Sequence, residues 1–577
     1  MQRRERSPLP PGAVLLLTIL FLAIPVRLYV ASQMGTISRD GAHYIWYAQD
    51  LATDPIGEIR SQDHHPLYPL TLLGVQRLLP HVGRVADIAP QPLRVDIPGL
   101  PPGIRVETAQ PGGRKTPLGA YFYDDVLSWQ TAGMIVTFIG GIAVVLGVYA
   151  VATVLFEPRV GLLAAGLTAL AAEFVQLSAD VLTDMPHLAL YLFALACALR
   201  GVRRSRLAWF IPAGLLSGIA FLVRPEGAEV AVTTAVLVLF MREWRARKRL
   251  AAAVLVGIFA LAVASPYMAL TGKLVPKKSI GQLIAAPAPT ADATHTPRAQ
   301  CAALLGAGGG ASALDLAKII EKYARSLRIT YLLPAILWLV LLRGEGWARG
   351  HRLMLALFIL HVLILVRLIL AFDYGELLSI RHALIPAALT IPYTAAGLRW
   401  LIDRAPERHR NAATIAGFIL LVGPTLPWML EPRNAEELYL RQAGEQLRGI
   451  AGEGPRVLTT RNLVPFYAGG RQVWSPRDAN LEQILAEARE KRPDFLAFDA
   501  RKLLKERPTF FDELEAAALP GERIEALFIR SQSLRDRREQ VIVYRYAAPG
   551  PSTRPATTPE QESSDGTADH ELSGTSG

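Results

Sequence analysis

An acid, a histidine and several aromatic residues follow directly after the first apolar segment, in the run Ile37-Ser38-Arg39-Asp40-Gly41-Ala42-His43-Tyr44. A carboxylate there can accept a proton, and an imidazole three residues further on lies beside it on a helix. Ionisable groups next to a membrane are expensive to desolvate, so a functional role is the first hypothesis for them. Asp40 is therefore the first candidate catalytic residue.

Three further clusters of chemically active residues occur later in the chain. They are Asp63-His64-His65-Pro66-Leu67-Tyr68-Pro69, the run Ser178-Ala179-Asp180-Val181-Leu182-Thr183-Asp184-Met185-Pro186-His187, and the pair Arg224-Pro225-Glu226 with Arg381-His382. Arginine stays protonated and binds a carboxylate or phosphate through two parallel N–H groups. Acids and arginines that converge on one surface would form a site for an anionic lipid head group and a polar co-substrate.

Long apolar runs must position these clusters, because about 20 helical residues cross the roughly 30 Å hydrocarbon core of a bilayer. The sequence predicts eleven spans, at Gly12–Ser32, Thr131–Phe156, Val160–Leu177, Met185–Leu199, Leu207–Val223, Gly227–Met241, Leu250–Thr271, Ile329–Leu342, Leu353–Ala371, His382–Trp400 and Ala412–Leu430. Eleven spans place the two termini on opposite sides of the membrane.

The distribution of Arg and Lys predicts the orientation, since cytoplasmic loops carry an excess of both. Cations concentrate at the N-terminus and in every second short loop, at Arg3–Arg6, Arg200–Arg206, Arg242–Arg249, Arg343–Arg352 and Arg399–Arg410. Placing these segments inside gives a cytoplasmic N-terminus and puts all four clusters outside. We therefore predict a multi-pass protein of the inner (plasma) membrane.

Composition divides the chain into three parts. Residues 1–430 hold the predicted spans, and residues 35–130 form the first extracytoplasmic loop, which becomes Pro-rich over Ile88–Pro117. Residues 431–548 alternate strand and helix patterns, which predicts a small extracytoplasmic α/β domain. Residues 549–577 are rich in Ser, Thr, Pro and Glu and are predicted to be disordered. The predicted fold class is an α-helical polytopic membrane protein with a small C-terminal α/β domain.

Bulk composition argues against other classes of protein. A hydrophobic share of 51% is too high for a soluble enzyme, and a charged share of 19% is too high for a bare membrane bundle. The net charge of +11 lies mainly in short inner loops, which argues against nucleic acid as a partner. Cys197 and Cys301 alone supply neither a metal cluster nor a disulfide framework. His43, His64 and His65 lack a defined ligand spacing, so no metal or other cofactor is predicted, although the sequence leaves a divalent cation open.

The clusters, taken in order over Pro11–Trp400, resemble the polytopic GT-C glycosyltransferases, in the branch of the protein O-mannosyltransferases and the bacterial aminoarabinose transferase. The segments that match the family motifs are Asp40–Tyr44, His65–Pro69, Asp184–Pro186, Gly218–Pro225 and Arg381–Pro386. The chain departs from the pattern at two positions. Gly41 replaces the second acid of the usual pair, so that Asp40 acts alone or with Asp180 or Asp184, and His382 replaces the usual tyrosine.

The resemblance implies a glycosyltransferase that moves a hexose or pentose from a polyprenyl-phosphate donor to an acceptor hydroxyl outside the membrane. The acceptor is a protein, lipid or glycan of the cell envelope. We assign Asp40 as the general base with Asp184 as a second catalytic carboxylate, and Arg224, Arg381 and His382 as ligands of the donor phosphate. A single displacement predicts inversion at the anomeric carbon. The candidate substrate-binding residues are His43, Tyr44, His65, Tyr68 and Asp180.

Other interpretations of the same residues stay open. Asp40, Asp180 and Asp184 could cap helices, and Arg224 and Arg381 could be interface anchors that snorkel to the head groups. The main alternative function is a secondary transporter or lipid flippase. A transporter should have paired half-repeats, broken helices at matching positions and charges near the midplane. This chain instead has its charges on one rim and no evident internal duplication.

Overall fold

The computed structural model describes residues 11–79, 105–108, 125–273, 313–341, 349–372, 379–452, 454–474, 480–500, 503, 507–520, 522–534 and 537–548. The described part is mostly helical, with one β-sheet built largely from the C-terminal residues.

Four helices carry the chain through the first two clusters: α1 (Pro11–Ser32), α2 (Arg39–Thr53), α3 (Pro55–Ser61) and α4 (Leu67–Leu78). α2 begins at Arg39 because Ser38 caps it, its hydroxyl accepting a hydrogen bond from Gly41 N at 3.2 Å. Asp54 caps α3 in the same way, and Pro55 takes the first helical position, where its missing N–H costs nothing.

The helices of residues 125–430 form the main bundle: α5 (Asp125–Leu155), α6 (Pro158–Ala169), α7 (Ala172–Ser178), α8 (Asp184–Arg204), α9 (Phe210–Val223), α10 (Ala228–Leu239), α11 (Ala246–Thr271), α12 (Ala313–Leu341), α13 (Arg349–Phe372), α14 (Leu384–Arg404), α15 (Arg410–Val422) and α16 (Leu426–Leu430). α5 and α8 approach closely because α5 carries glycine at the contact. A Cβ on Gly140 would lie 2.6 Å from the backbone nitrogen of Pro186. This contact fixes the start of α8.

Six helices of the described residues are long and apolar enough to cross a membrane, or up to eight if each sharply bent helix pair counts as one span. The chain is thus a multi-pass membrane protein, but the predicted number of eleven spans is not confirmed. α10 has only 12 residues, α6 and α7 meet at 62°, and α14 is buried over most of its length. A helix that is surrounded by protein is not held to the thickness of the hydrocarbon core.

The sheet contains β1 (Arg105–Thr108), β2 (Arg456–Thr459), β3 (Arg471–Trp474), β4 (Phe495–Asp499), β5 (Arg523–Leu534) and β6 (Arg537–Ala547) in the order β1-β5-β6-β4-β2-β3. Pairing is parallel except at β6, which runs antiparallel to both of its neighbours. Between and before these strands lie α17 (Leu438–Ala451), α18 (Leu463–Tyr467), α19 (Leu481–Lys491) and α20 (Phe510–Ala516). The predicted class, a helical membrane protein with a small C-terminal α/β part, is confirmed.

One strand of the sheet comes from the first long loop. β1 pairs with β5, with Arg105 opposite Phe528. The rest of the Pro-rich segment 88–117 and the predicted tail 549–577 lie outside the described residues. Because β1 crosses the predicted boundary at residue 430, we keep the division into residues 1–430 and 431–548 as a proposal.

The C-terminal part holds the start of α2 through hydrogen bonds. Ile37 N donates to the Tyr467 hydroxyl at 3.1 Å, and the side chain of Asn462 donates to the Arg39 carbonyl at 2.7 Å. Both acceptors and donors are buried or half-buried, which makes such bonds costly to break. These contacts fix the backbone on either side of the position where Asp40 begins its turn.

Candidate active site

Asp40 lies in the first turn of α2, where the helix dipole favours a negative charge. Its Oδ2 accepts a hydrogen bond from Arg381 Nη2 at 2.6 Å. The side chain remains 46% exposed, so a further group can reach the carboxylate. Ser38 rather than Asp40 caps the helix, and capping therefore does not account for this acid.

The residue after Asp40 is glycine for a steric reason. A Cβ on Gly41 would lie 2.8 Å from the carbonyl oxygen of Val181, a distance that Cβ contacts almost never reach. The second acid of the family motif has no room at this position. The missing side chain instead lets α2 pack directly against the loop that leads to Asp184.

Asp184 is the first residue of α8 and is only 4% exposed. Its Oδ1 accepts a hydrogen bond from Arg224 Nη1 at 2.7 Å. Arg224 follows the end of α9 in extended conformation, and its Nη2 also donates to Glu226 Oε1 at 3.1 Å. Glu226 lies in the short 3-10 turn Pro225–Gly227. One arginine is thus held between two carboxylates.

Arg381 lies in a second 3-10 turn, Ile380–Ala383, which precedes α14. A capping box of Ser379 and His382 fixes this turn. Besides its contact with Asp40, Arg381 places Nη1 3.7 Å from Asp184 Oδ2. Acids and arginines therefore alternate along one line, in the order Asp40, Arg381, Asp184, Arg224 and Glu226, which we call the charge chain.

Opposite charges keep members of the charge chain ionised. Burial raises the pKa of Asp40, but the Arg381 guanidinium lowers it by more, with smaller effects of His43 and His64, so that the carboxyl pKa lies below its ordinary 3.8. Burial alone would lower the pKa of Arg381 and of Arg224, yet the facing carboxylates raise both pKa values above the ordinary value. Burial lowers the pKa of His43, whose imidazole is neutral at pH 7.

Arg224 and Arg381 line a cleft of about 430 Å³, a size in the usual range of ligand sites. The other polar lining residues are Asp184, His187, Glu226, His361 and His382. The apolar lining residues are Leu188, Ile364, Leu365, Leu384 and Ile385. A cleft with both kinds of wall suits a ligand that joins an anionic group to a hydrocarbon chain.

The structure brings five of the predicted site residues together, namely Asp40, Asp184, Arg224, Arg381 and His382. Tyr44 lies beside them, with its hydroxyl 3.5 Å from that of Thr183. His43 packs edge-on against Trp46, with the ring centroids 5.6 Å apart.

His65 and Tyr68 lie behind Tyr44 and are buried, at 4% and 1% exposure. The Tyr68 ring packs edge-on against Tyr44 at 5.2 Å, and its hydroxyl lies 3.1 Å from Thr137 Oγ1. The His65 ring packs against Phe221 at 4.9 Å. These two residues support the site from below, and their predicted contact with substrate stays a prediction.

Asp180 lies apart from the charge chain. It is fully buried, and its carboxylate accepts hydrogen bonds from Ser38 N, Val181 N and Arg433 Nε at 2.7 to 3.0 Å. A carboxylate with this many donors ties three segments of the chain together. The contacts account for Asp180 structurally, without a bound substrate.

No group of three or more His, Cys, Asp or Glu side chains that could hold a metal ion occurs among the residues that the structure describes. The acids of the charge chain have arginines as neighbours instead. Metal dependence therefore stays a matter for experiment.

Comparison with known proteins was made by sequence and by structure. A family model described as dolichyl-phosphate-mannose-protein mannosyltransferase matches residues 116–269. The oligosaccharyltransferase of Archaeoglobus fulgidus, solved in complex with Zn and sulfate, matches with a TM-score of 0.53 at 12% identity, over 86% of this chain and 69% of that one. ArnT from Cupriavidus metallidurans in the apo state matches with a TM-score of 0.50 at 12% identity, over 91% and 97% of the two chains. Both are members of the GT-C superfamily. The chain has the GT-C glycosyltransferase fold. No curated protein matches it in sequence.

Within this GT-C fold, the family-model match includes Asp184 and Arg224 but not Asp40 or Arg381. The placement of Asp40 and Arg381 in the site therefore depends on the geometry, through their 2.6 Å contact.

Sequence reasoning missed one buried pair of this GT-C protein. His361 Nδ1 lies 3.0 Å from Glu229 Oε1, and its Nε2 lies 3.0 Å from the carbonyl oxygen of His382. The pair thus supports the turn that carries Arg381. An acid and a histidine inside two apolar segments are themselves a signal, since ionisable residues there are rare and usually paired.

Proposed function

We propose that this chain is a membrane glycosyltransferase that moves a sugar from a polyprenyl-phosphate donor to an acceptor hydroxyl. The observation that carries the proposal is the contact between Asp40 and Arg381 beside the cleft, because it joins a proton acceptor to a phosphate-binding group. The GT-C fold and the match to a mannosyltransferase family model support the same class of reaction.

Asp40 acts as the general base in this proposal. The acceptor oxygen attacks the anomeric carbon of the sugar while its proton passes to the Asp40 carboxylate. The bond between the anomeric carbon and the phosphate oxygen breaks, and its electron pair leaves with the polyprenyl phosphate. Because the acceptor enters opposite the leaving group in one displacement, the configuration at the anomeric carbon inverts.

Arg224, Arg381 and His382 bind the donor phosphate in this proposal. Guanidinium groups match phosphate oxygens through paired N–H groups and keep their charge when buried. The departing phosphate is already anionic, so that stabilising its charge matters more than protonating it. The aliphatic wall of the cleft, with Leu384 and Ile385, suits the first isoprene units of the lipid.

Donor binding should also activate the base. In the free protein Arg381 is shared by Asp40 and Asp184, and its charge holds the pKa of Asp40 low. A phosphate that takes over Arg381 weakens this hold and adds a negative charge nearby, and both changes raise the pKa of Asp40. The carboxylate becomes a stronger base only when the donor is in place.

Asp184 is the second catalytic carboxylate of the proposal, because it orients both arginines. His43 and Tyr44, next to Asp40 on α2, are the proposed contacts of the substrate. The acceptor is a protein, lipid or glycan. A relative with the same fold, the A. fulgidus oligosaccharyltransferase, has been solved tethered to an acceptor peptide.

We place the site at the extracytoplasmic face of the inner (plasma) membrane, with the N-terminus inside, since the cations concentrate in the opposite loops. The C-terminal part then lies outside, above the donor cleft, and fits a role in guiding the acceptor. Neither a metal nor an organic cofactor is required by the proposed steps.

The test supplies purified protein in nanodiscs with undecaprenyl phosphate carrying radiolabelled mannose, glucose or arabinose, and with an envelope extract as acceptor. Wild-type protein should transfer one of these sugars and release undecaprenyl phosphate. Asp40→Asn should lose a factor of about 10² to 10⁴ in rate, the usual contribution of a general base. Transfer should persist in EDTA.

Asp50→Asn is the matched control, because Asp50 is an acid on the same helix that pairs with Arg471 away from the cleft. Its transfer rate should equal that of the wild type. Full activity in Asp40→Asn would exclude Asp40 as the base. Movement of solute or lipid across sealed vesicles with no transfer of any labelled sugar would favour a transporter instead.

A further inference from the structure

Two buried polar atoms on α8 line the cleft without a hydrogen-bond partner within the described part of the chain. They are Asp184 Oδ2 and His187 Nε2. The two residues are 4% and 3% exposed. Arg381 Nη1 is 3.7 Å from Asp184 Oδ2, which is beyond hydrogen-bond distance.

The spacing along α8 places the two atoms on one face. Residues three apart on a helix are neighbours, with Cβ atoms about 5–6 Å apart. Two polar groups at this separation can each bind one of two adjacent hydroxyl groups. They line the same cleft as the proposed phosphate ligands Arg224 and Arg381.

Other polar atoms around the cleft have partners. Asp184 Oδ1 accepts from Arg224, and both ring nitrogens of His361 lie within 3.0 Å of oxygen atoms. Buried polar groups are nearly always hydrogen-bonded, so an unpartnered pair at one place points to a ligand or water that completes it. The two atoms are therefore specific to this place in the cleft.

We propose that Asp184 Oδ2 and His187 Nε2 form the subsite for the donor sugar, each binding one of its hydroxyl groups. A carboxylate oxygen accepts from a hydroxyl, and an imidazole nitrogen donates to or accepts from one. The phosphate belongs at the arginines, because a carboxylate repels it. The inference rests on the proposed function and extends it to the recognition of a polyhydroxylated sugar.

The test compares two lipids, undecaprenyl phosphate and the undecaprenyl-phosphate sugar, with mannose, glucose or arabinose, that the wild type binds most tightly. Both affinities are measured by titration in nanodiscs. His187→Phe keeps the ring packing against Tyr191 but removes the nitrogen. It should weaken binding of the sugar-bearing lipid about tenfold, a typical loss for one hydrogen bond to a bound ligand. Binding of undecaprenyl phosphate should change less than about twofold.

Three variants separate the possible causes. His351→Phe removes another buried imidazole, one that lies beside Tyr393 outside the cleft, and should leave both affinities unchanged. Arg381→Gln should weaken both lipids alike. His187→Gln, which restores a polar group, should recover part of the affinity for the sugar-bearing lipid and guards against misfolding of His187→Phe.

Sugar donors that each lack one hydroxyl complete the test. The donor that lacks the hydroxyl bound by His187 should bind wild type and His187→Phe equally. Equal losses of both lipids in His187→Phe, no loss of either, or the same loss for every deoxy donor would overturn the sugar subsite, and an ordered water would then fill the place. A wild type that binds neither lipid would reject the proposed function itself.

Discussion

At the scale of single residues, the arginines of the cleft meet a substrate while they already contact carboxylates. Arg224 lies between Asp184 and Glu226, and Arg381 between Asp40 and Asp184. An anionic ligand must therefore compete with these acids for the guanidinium groups. Buried charges that lose a partner are strongly destabilised, so exchange of one anion for another costs less than removal.

The pKa of Asp40 gives a test at this scale. Arg381 holds that pKa below 3.8, so the ionised base persists as the pH falls and activity should survive to low pH. Arg381→Gln removes the charge while burial remains, so the pKa of Asp40 rises and activity should be lost at higher pH on the acid side. The measurement is kcat/KM against pH, each profile scaled to its own maximum.

Arg471→Gln is the control for that shift. Arg471 pairs with Asp50 on the same helix as Asp40, but it lies outside the cleft. Its acid limb should coincide with that of the wild type. An unchanged acid limb in Arg381→Gln would mean that another group, and not Asp40, sets the acid side of the profile.

Residue types indicated the site better than they indicated its pairing. The sequence predicted that Asp40, Asp184, Arg224 and Arg381 would gather on one rim, and the structure brings them together. It could not separate Asp184 from Asp180, which lie in the same short loop. The difference is set by Arg433, about 250 residues further on, which binds Asp180.

At the scale of elements, the contact between α5 and α8 positions the acid end of the cleft. Gly140→Ala should destabilise the protein by about 1–3 kcal/mol, because a Cβ there would overlap the backbone at Pro186. The same change should lower transfer activity, since it displaces the turn that begins with Asp184. Thermal unfolding in detergent measures the stability.

Gly257→Ala is the matched control in α11, because nothing lies within 4 Å of a Cβ at that position. It should be neutral or stabilise the helix by up to about 1 kcal/mol. Equal melting temperatures for Gly140→Ala and Gly257→Ala would contradict the tight α5–α8 contact.

Elements with a clear period or length were predictable, and those set by tertiary packing were not. Strands β2 and β4 and helix α19 lie where the sequence patterns place them. The short helices α9 and α10 satisfied a search for apolar runs but not the length of a span. Their lengths follow from neighbours in space, which a hydropathy pattern does not contain.

At the scale of the whole molecule, Asp180 and Arg433 join the helical part to the C-terminal part. Asp180→Asn and Arg433→Met should each destabilise the protein, and the double variant should do so by less than the two together. The expected coupling is about 1–3 kcal/mol, because Asp180 is fully buried whereas Arg433 is partly exposed. Thermal unfolding of all four proteins gives this value.

The exposed pair Glu321 and Arg325 is the comparison for this cycle. Both side chains are more than half exposed, and such pairs contribute about 0.2–1 kcal/mol or less. A coupling for Asp180 and Arg433 no larger than that of this surface pair would mean that the two parts of the chain are held together elsewhere.

The order of synthesis gives the pairing of β1 with β5 a further meaning. Arg105 leaves the ribosome roughly four hundred residues before Phe528, its partner across the ladder. At bacterial rates of about 5–20 residues per second, the early strand waits on the order of 20–80 s for the late one. The ladder can therefore close only after the last apolar helix has been made, so a prematurely terminated chain would carry an unmatched strand that marks it as unfinished.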